Sequence, residues 1–273
     1  MPPVSSPCLF VVALAAEARP LIEHFRLKLV SDSRIPYYAN ESVSLVLTGI
    51  GKMNAAAATA AALVQLPDNT VCVNVGIAGS DREIGELVMA GCVRDEATER
   101  CWYPSLSSNG HQIDAITIVT VDAVSTGYDP AIAFDMEASG YCNAALKFSC
   151  AELVHSLKII SDNPQAPATR LTAAEVSTLV GAQIDSVQQI VENLRLLAGT
   201  LDSKTELQNW IQSITANIHF TATQQHQLSR LLERHIALKG KLPDDEEFAR
   251  LNNASSTIKA LAEQLANHAP TYQ

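Results

Sequence analysis

Short apolar runs rich in β-branched residues alternate along the chain with segments in which apolar residues recur every three or four positions. The runs predict buried strands, and the periodic segments predict helices. The predicted strands lie in "LFVVAL" (residues 9–14), "YYANESVSLVLTGIG", "TVCVNVGIAG", "GELVMAGCVRDEAT", "AITIVTVDAV" and "LVHSLKIIS". The predicted helices lie in "AEARPLIEHF", with Pro20 expected in its first turn, "KMNAAAATAAALVQL", "MEASGYCNAALKFS" and the long "AAEVSTLVGAQIDSVQQIVENLRLLAGTL".

This alternation predicts an α/β fold around a mixed, largely parallel sheet. In such sheets, ligands bind outside the carboxyl ends of the strands. The polar and glycine residues that follow the predicted strands are therefore the first candidates for a site. They are Glu17, Gly49, Gly51, Gly76 to Gly79, Ser161 and Asp162.

The character of the sequence changes after about Thr200. The remaining segments are polar and helical, and "GKLPDD" between them reads as a turn. No strand pattern occurs there. We expect an α/β domain over residues 1–199 and an α-helical C-terminal extension over residues 200–273.

Composition and charge narrow the class of protein. The chain has 273 residues, of which 47% are hydrophobic and 18% charged, as in a globular protein with a sizeable core. A net charge of −10, without any basic run, repels phosphate backbones, so nucleic acid is excluded as a partner. The six cysteines show no metal-binding spacing, which favours a reduced, cytoplasmic protein. The N-terminal apolar run is short and lacks a basic flank, so neither a signal peptide nor a membrane anchor is expected.

Five motifs carry a resemblance to a known family. They are "ALAAEA", "TGIGKMNAA", "NVGIAGS", "DMEA" and "IISDN", in that order. Over roughly residues 9–197 the chain resembles the purine nucleoside phosphorylase and nucleosidase superfamily. It is most similar to the methylthioadenosine/S-adenosylhomocysteine nucleosidase branch. Each motif alone is common, and the specificity lies in the ordered set.

The resemblance implies a three-layer α/β/α sandwich that cleaves the N-glycosidic bond of a purine nucleoside, with a 5′-thio-substituted adenosine as one candidate. It places the ribose-binding pair on Met136 and Glu137. It places the acid that faces the purine on Asp162, and the carboxylate near the nucleophilic water on Glu17.

The same resemblance assigns the family's glycine turns to residues 49–51 and 76–79. Ile50, Gly76 and Ala78 are thereby expected to contact the substrate, and the glycines to let backbone N–H groups approach it. Ser161, also counted as a substrate-binding residue, or Asn163 could orient Asp162. Asp135 is expected to point away from the ligand.

The chemistry of this bond explains why such residues are needed. Cleavage leaves negative charge on the base and cationic character on the sugar. Asp162 would protonate the base, and Glu17 would orient or deprotonate water. Glu137 would accept hydrogen bonds from the ribose hydroxyls, and Met136 would give an apolar contact beneath the sugar.

Two alternatives stay open from the sequence. The first is a phosphate-dependent phosphorylase in which Arg19 or Arg82 binds phosphate. Asn74 and Ile77 stand where the phosphorylase branch usually carries an arginine and a hydroxyl, which favours water instead. The second is a catalytically inactive nucleoside-binding protein. It is suggested by the segment "DAVSTGYDPAIAF", which is shorter than the family's and in which Tyr128 or Phe134 could supply the aromatic contact with the base.

Ordinary structural roles compete with these assignments. Asp162 could cap a turn, and Glu17 and Glu137 could be first-turn carboxylates of helices. His219, His226 and His235 do not gather on one helix face with acids, so no metal site is predicted. We expect no cofactor, inorganic phosphate as co-substrate only in a phosphorylase, and a homo-oligomer, as the resemblance implies.

Overall fold

The computed structural model of the chain divides into two compact units, Met1–Gly199 and Thr200–Gln273. The predicted turn at "GKLPDD" lies partly outside the described residues, as does the start of the chain. The structure describes residues 6–31, 34–105, 113–124, 127–167, 171–216, 218–239, 241–244, 248, 251 and 253–266.

The first unit contains one mixed sheet. Its strands are β1 (Cys8–Val12), β2 (Lys28–Ser31), β3 (Tyr37–Ala39), β4 (Val43–Leu47), β5 (Val71–Gly79), β6 (Leu87–Asp95), β7 (Cys101–Trp102), β8 (Ala115–Thr120), β9 (Ile132–Asp135) and β10 (Val154–Asp162). The order is β10-β6-β8-β9-β5-β1-β4-β3-β2, with β7 paired to β6. Strand β10 also pairs with β5, so β5, β10, β6, β8 and β9 close into a ring.

Most strand pairs near the predicted site are parallel, and the exception is the antiparallel pair of β5 and β9. Strand β1 lies parallel to β4 and to β5, and β5 lies parallel to β10. Strand β8 lies parallel to β6 and to β9. Antiparallel pairs are more frequent than the sequence led us to expect, since β10 with β6, and β2 with β3, run antiparallel. All nine residues of β10 are buried, although five of them, including His155 and Lys158, are polar or charged.

The helices of the chain are α1 (Ala15–His24), α2 (Lys52–Leu63), α3 (Ala138–Ala145), α4 (Ala173–Ala182), α5 (Ile184–Thr215), α6 (Ala222–Lys239) and α7 (Ala254–Ala266). Helix α2 packs against α3, and α1 against α4. The predicted α/β fold, with a mixed sheet, flanking helices and a C-terminal helical extension, is confirmed.

Two local predictions are wrong. Pro20 lies inside α1 and not in its first turn, because Glu17 accepts a hydrogen bond from the N–H of Leu14 and the helix begins at Ala15. The long helix predicted after residue 172 is interrupted at Gln183, which separates α4 from α5.

Each unit has its own apolar cluster. The first unit's cluster includes Leu9, Val11, Ala58 and Tyr141. In the second unit, Trp210 and Phe248 meet edge to face with ring centroids 5.5 Å apart, and Leu228 and Leu261 are buried beside them. In the described part of the chain, every helix is too short or too polar to cross a membrane.

Candidate active site

A cavity of about 200 Å³ opens at the carboxyl ends of the parallel strands. Strands β1, β4, β5, β8, β9 and β10 each end beside it, as expected for an α/β sheet. The candidate residues from the sequence that line this cavity are Glu17, Ile50, Ile77, Ala78, Gly79, Met136, Glu137, Ser161 and Asp162.

Five of the predicted site residues do not line the cavity. Three of them are the glycines Gly49, Gly51 and Gly76, and Gly76 lies within β5. Arg19 is exposed on α1 and pairs with Glu23 at 2.8 Å. Arg82 is engaged by Glu86 and Asp114. The structure therefore does not bring either arginine to the site.

The carboxylate of Glu17 is held by two backbone donors. Its Oε1 accepts from the N–H of Ile77 at 2.9 Å, and its Oε2 accepts from the N–H of Leu14 at 2.8 Å. Burial raises the pKa of Glu17 to about 7, although the backbone hydrogen bonds and Lys158 act in the opposite direction. A carboxylate with this pKa can exchange a proton near neutral pH.

Gly76 and Gly79 serve a purpose that the sequence did not indicate. A Cβ atom on Gly76 would lie 2.9 Å from Oε1 of Glu17, and one on Gly79 would lie 2.7 Å from Oδ2 of Asp162. The glycines thus leave room for the two carboxylates. The N–H of Ile77 between them binds Glu17, so it does not face the ligand as expected.

Glu137 lies at the start of α3 and is tied to the other glycine turn. Its Oε1 accepts from the N–H of Gly51 at 2.8 Å, where Gly51 has φ +103°. That positive φ is accessible to glycine at little cost. Burial raises the pKa of Glu137, and Lys158 counteracts the rise. Glu137 is thus held by the backbone and also lines the cavity.

The expectation that Asp135 points away is wrong. Its side chain is buried beneath the cavity, where Oδ1 accepts from Thr120 at 2.7 Å and Oδ2 accepts from the N–H of Ala138 at 2.8 Å. The second bond, together with one from the N–H of Glu137 at 3.2 Å, caps α3. Asp135 thereby fixes the backbone that carries Glu137.

Lys158 is the site residue that the sequence analysis missed. It lies within the apolar run of β10, is 1% exposed, and places Nζ 2.7 Å from Oδ2 of Asp135. Burial lowers the pKa of Lys158, but Asp135 and Glu137 raise it by more, so the ammonium is retained. The sequence did contain a signal, since Lys158 lies between the apolar residues Leu157 and Ile159 of a predicted buried strand, and a buried charge requires a partner.

Asp162 is engaged at both oxygens. Ser161 donates to Oδ1 at 2.6 Å, and Tyr128 donates to Oδ2 at 3.0 Å. Asn163, the other residue considered for this task, instead donates to the carbonyl oxygen of Arg82 at 3.1 Å. Ser161 and Tyr128 are therefore the residues that orient Asp162.

Apolar side chains complete the wall of the cavity. Phe134, one of the two aromatic candidates, lines it together with Val121, Val124, Leu14 and Met136. Tyr128 is not among the described lining residues. The arrangement is a largely apolar pocket with carboxyl groups at separate points, which suits an organic ligand bearing several polar groups.

The fold has relatives among solved structures. A 5′-methylthioadenosine nucleosidase from Arabidopsis thaliana matches with a TM-score of 0.59 and 19% identity, over 70% of this chain and 96% of its own. A futalosine hydrolase from Helicobacter pylori matches with a TM-score of 0.57 and 16% identity, over 69% and 98%.

A methylthioadenosine/S-adenosylhomocysteine nucleosidase from Colwellia psychrerythraea, solved in complex with adenine, matches with a TM-score of 0.52 and 21% identity, over 70% and 95%. No protein-family model and no curated protein matches the sequence. The structural matches span nearly the whole length of each relative. The chain therefore shares the fold of these nucleosidases and of the futalosine hydrolase.

Proposed function

We propose that this protein is an N-ribosyl hydrolase that releases the base from a purine nucleoside, with a 5′-thio-substituted adenosine as the first candidate substrate. One observation carries the proposal. Glu17, Glu137 and Asp162, which come from three distant parts of the chain, line one largely apolar cavity at the strand ends.

The reaction consumes water and balances as follows. The bond between the sugar C1′ and the base nitrogen breaks, and its electron pair leaves with the base. Asp162 supplies a proton to the base. The water oxygen bonds to C1′, and the proton that water loses passes to Glu17. A proton transfer from Glu17 to Asp162 through solvent then restores the starting state.

The environment of each carboxyl group supports its role. A base works best when its pKa lies near the operating pH, and burial brings the pKa of Glu17 to about 7. Glu137 is fixed by the N–H of Gly51 and lines the cavity, and a carboxylate can accept several hydrogen bonds, as binding of sugar hydroxyls requires. Lys158 beneath them offsets part of the negative charge that these carboxylates concentrate.

Hydrolysis is favoured over phosphorolysis. Binding a phosphate dianion requires cationic side chains, and the described residues that line the cavity include none. Asn74 lies where the phosphorylase branch carries an arginine. In the structure it bridges strands, donating to the carbonyl oxygen of Val11 at 3.0 Å and accepting from Ser156 at 2.9 Å.

Three relatives that share the fold are named as nucleosidases or as a hydrolase, which supports the same reaction class here. A cytoplasmic location, a homo-oligomer and the absence of a cofactor remain parts of this proposal. Sedimentation of the purified chain measures the oligomeric state.

The test is base release from purified protein. Adenosine, inosine and 5′-methylthioadenosine are incubated with the protein, with and without phosphate, and free base is followed by chromatography. The proposal predicts free base and free sugar without phosphate. Release only with phosphate, giving a sugar 1-phosphate, would instead identify a phosphorylase. Nucleoside binding in calorimetry without any release would identify an inactive binding protein.

A further inference from the structure

We infer that Tyr128 is a positioning residue that acts through Asp162 and lowers the barrier to protonation of the leaving base. The inference rests on the proposed function. Its starting point is geometric: the Tyr128 hydroxyl donates to Oδ2 of Asp162 at 3.0 Å, while Ser161 occupies Oδ1 at 2.6 Å.

The contact between Tyr128 and Asp162 depends on Gly79, the last residue of the neighbouring strand β5. A Cβ atom on Gly79 would lie 2.7 Å from Oδ2 of Asp162 and 3.3 Å from Cε1 of Tyr128. Any side chain at position 79 would therefore displace both partners. The absence of a side chain there gives the tyrosine ring and the carboxylate a shared space.

The backbone that carries Tyr128 is also anchored. Ser80 Oγ lies 2.9 Å and 2.7 Å from the carbonyl oxygens of Asp129 and Ile132, and it donates to one of them at a time. The guanidinium of Arg82 donates to the carbonyl oxygen of Pro130 at 3.3 Å. Arg82 therefore helps to fix the segment next to Tyr128 through this hydrogen bond.

The hydroxyl has a defined chemical task at this place. When Asp162 gives its proton to the base, negative charge develops on the carboxylate. A donor already aimed at Oδ2 stabilises that charge without reorganisation, so it favours the transition state over the ground state. Tyr128 keeps its own proton throughout, and no bond of the tyrosine is made or broken.

The choice of leaving group isolates this effect. Among the described residues, three other ionisable groups line the cavity, Glu17, Asp135 and Glu137. The test must therefore separate an effect that acts through Asp162 from one that acts through these groups. A nitrophenolate leaves as a stable anion and needs no proton. Hydrolysis of 4-nitrophenyl β-D-ribofuranoside therefore bypasses Asp162, whereas hydrolysis of a purine nucleoside requires it.

The test compares Tyr128→Phe with Tyr38→Phe, which makes the same chemical change in strand β3. A hydrogen bond to a charged group implies a loss of about ten- to a hundredfold in kcat for the purine nucleoside. We expect KM and nitrophenolate release to stay unchanged in Tyr128→Phe, and Tyr38→Phe to match the wild type. In an Asp162→Asn background, Tyr128→Phe should cause no further loss.

Two results with active wild type would overturn the inference. An unchanged kcat for the nucleoside in Tyr128→Phe would show that the hydroxyl is idle. Equal losses on both substrates would show a merely structural role. If the wild type releases base but no nitrophenolate, the test is base release in the Asp162→Asn background. A further loss on adding Tyr128→Phe there would overturn the inference, and no further loss would support it. If the wild type releases neither base nor nitrophenolate, the proposed function fails, and this inference fails with it.

Discussion

At the scale of single residues, Glu17 shows how one carboxylate is prepared for chemistry. It is 3% exposed, yet it lines the cavity, and two backbone N–H groups fix its orientation. Burial disfavours its charged form more than these donors favour it, so its pKa rises to about 7. The same residue is thus both well positioned and able to accept a proton.

This predicts a defined pH dependence. Glu17 must be ionised to accept a proton from water, so hydrolysis should fall as the pH drops below about 7. With 4-nitrophenyl β-D-ribofuranoside, which does not require Asp162, kcat/KM measured between about pH 5 and pH 9 should show one acid limb. A flat profile would contradict the assignment of Glu17 as base.

Glu17→Gln should lower this rate by about 100- to 10,000-fold, the usual contribution of a positioned base. Glu23→Gln is the matched control, because Glu23 is an exposed carboxylate on the same helix. It should leave the rate unchanged. Equal activity of the two variants would remove Glu17 from the mechanism.

Lys158 is the second residue with a quantitative consequence. It forms a buried ion pair with Asp135, and breaking such a pair leaves an uncompensated charge. Lys158→Met should therefore lower the free energy of unfolding by about 3–5 kcal/mol at neutral pH. Urea denaturation measures the change.

Lys28→Met provides the control, since Lys28 lies exposed in β2 and should shift stability by no more than about 0.5 kcal/mol. Lys158 also lowers the pKa of Glu17 and of Glu137. Any Lys158→Met protein that folds should consequently show an acid limb at higher pH than the wild type. Similar stabilities for the two lysine variants would mean that the pair is dispensable.

At the scale of elements, the close packing of α2 against α3 sets the position of Glu137. A Cβ atom on Gly140 of α3 would lie 1.8 Å from the carbonyl oxygen of Lys52, the first residue of α2. The preceding residue, Gly51, donates to Glu137. The two helix starts therefore hold each other in place, together with the carboxylate that we propose to bind the sugar.

Gly140→Ala should force these two helices apart. Because the obstructing atom belongs to the backbone, we expect a loss of about 3 kcal/mol or more in unfolding free energy. In Gly199→Ala, where nothing lies within 4 Å of the new Cβ, the same change should stabilise α5 by about 0.5–1 kcal/mol. Urea unfolding of both variants tests the contrast, and equal effects would refute it.

The elements were largely predictable because their signals are local. Strand β1 is a continuous apolar run, and β10 contains the apolar stretch Leu157–Ile160 interrupted only by Lys158. Asp162 ends β10, and Glu17 lies in the first turn of the helix that follows β1. Lys158 and Tyr128 were not assigned their roles because their partners are distant: Asp135 lies 23 positions before Lys158, and Asp162 lies 34 after Tyr128. The pairing of β10 with both β5 and β6, which closes the ring, is equally non-local.

At the scale of the whole molecule, the chain consists of two compact units with separate apolar clusters. The proposed chemistry lies within the first unit, which contains every residue that lines the cavity. The net charge of −10 disfavours polyanionic partners but not a neutral nucleoside. The charge of the chain is therefore compatible with the nucleoside that we propose as substrate.

The central claim is that Asp162 protonates the departing base in a hydrolysis. It is tested most directly by the initial rate of base release from 5′-methylthioadenosine in phosphate-free buffer, for the wild type, Asp162→Asn and the control Asp81→Asn. We expect the wild type and Asp81→Asn to release base at similar rates, and Asp162→Asn to release it at least about 100-fold more slowly. Equal rates for wild type and Asp162→Asn would contradict it.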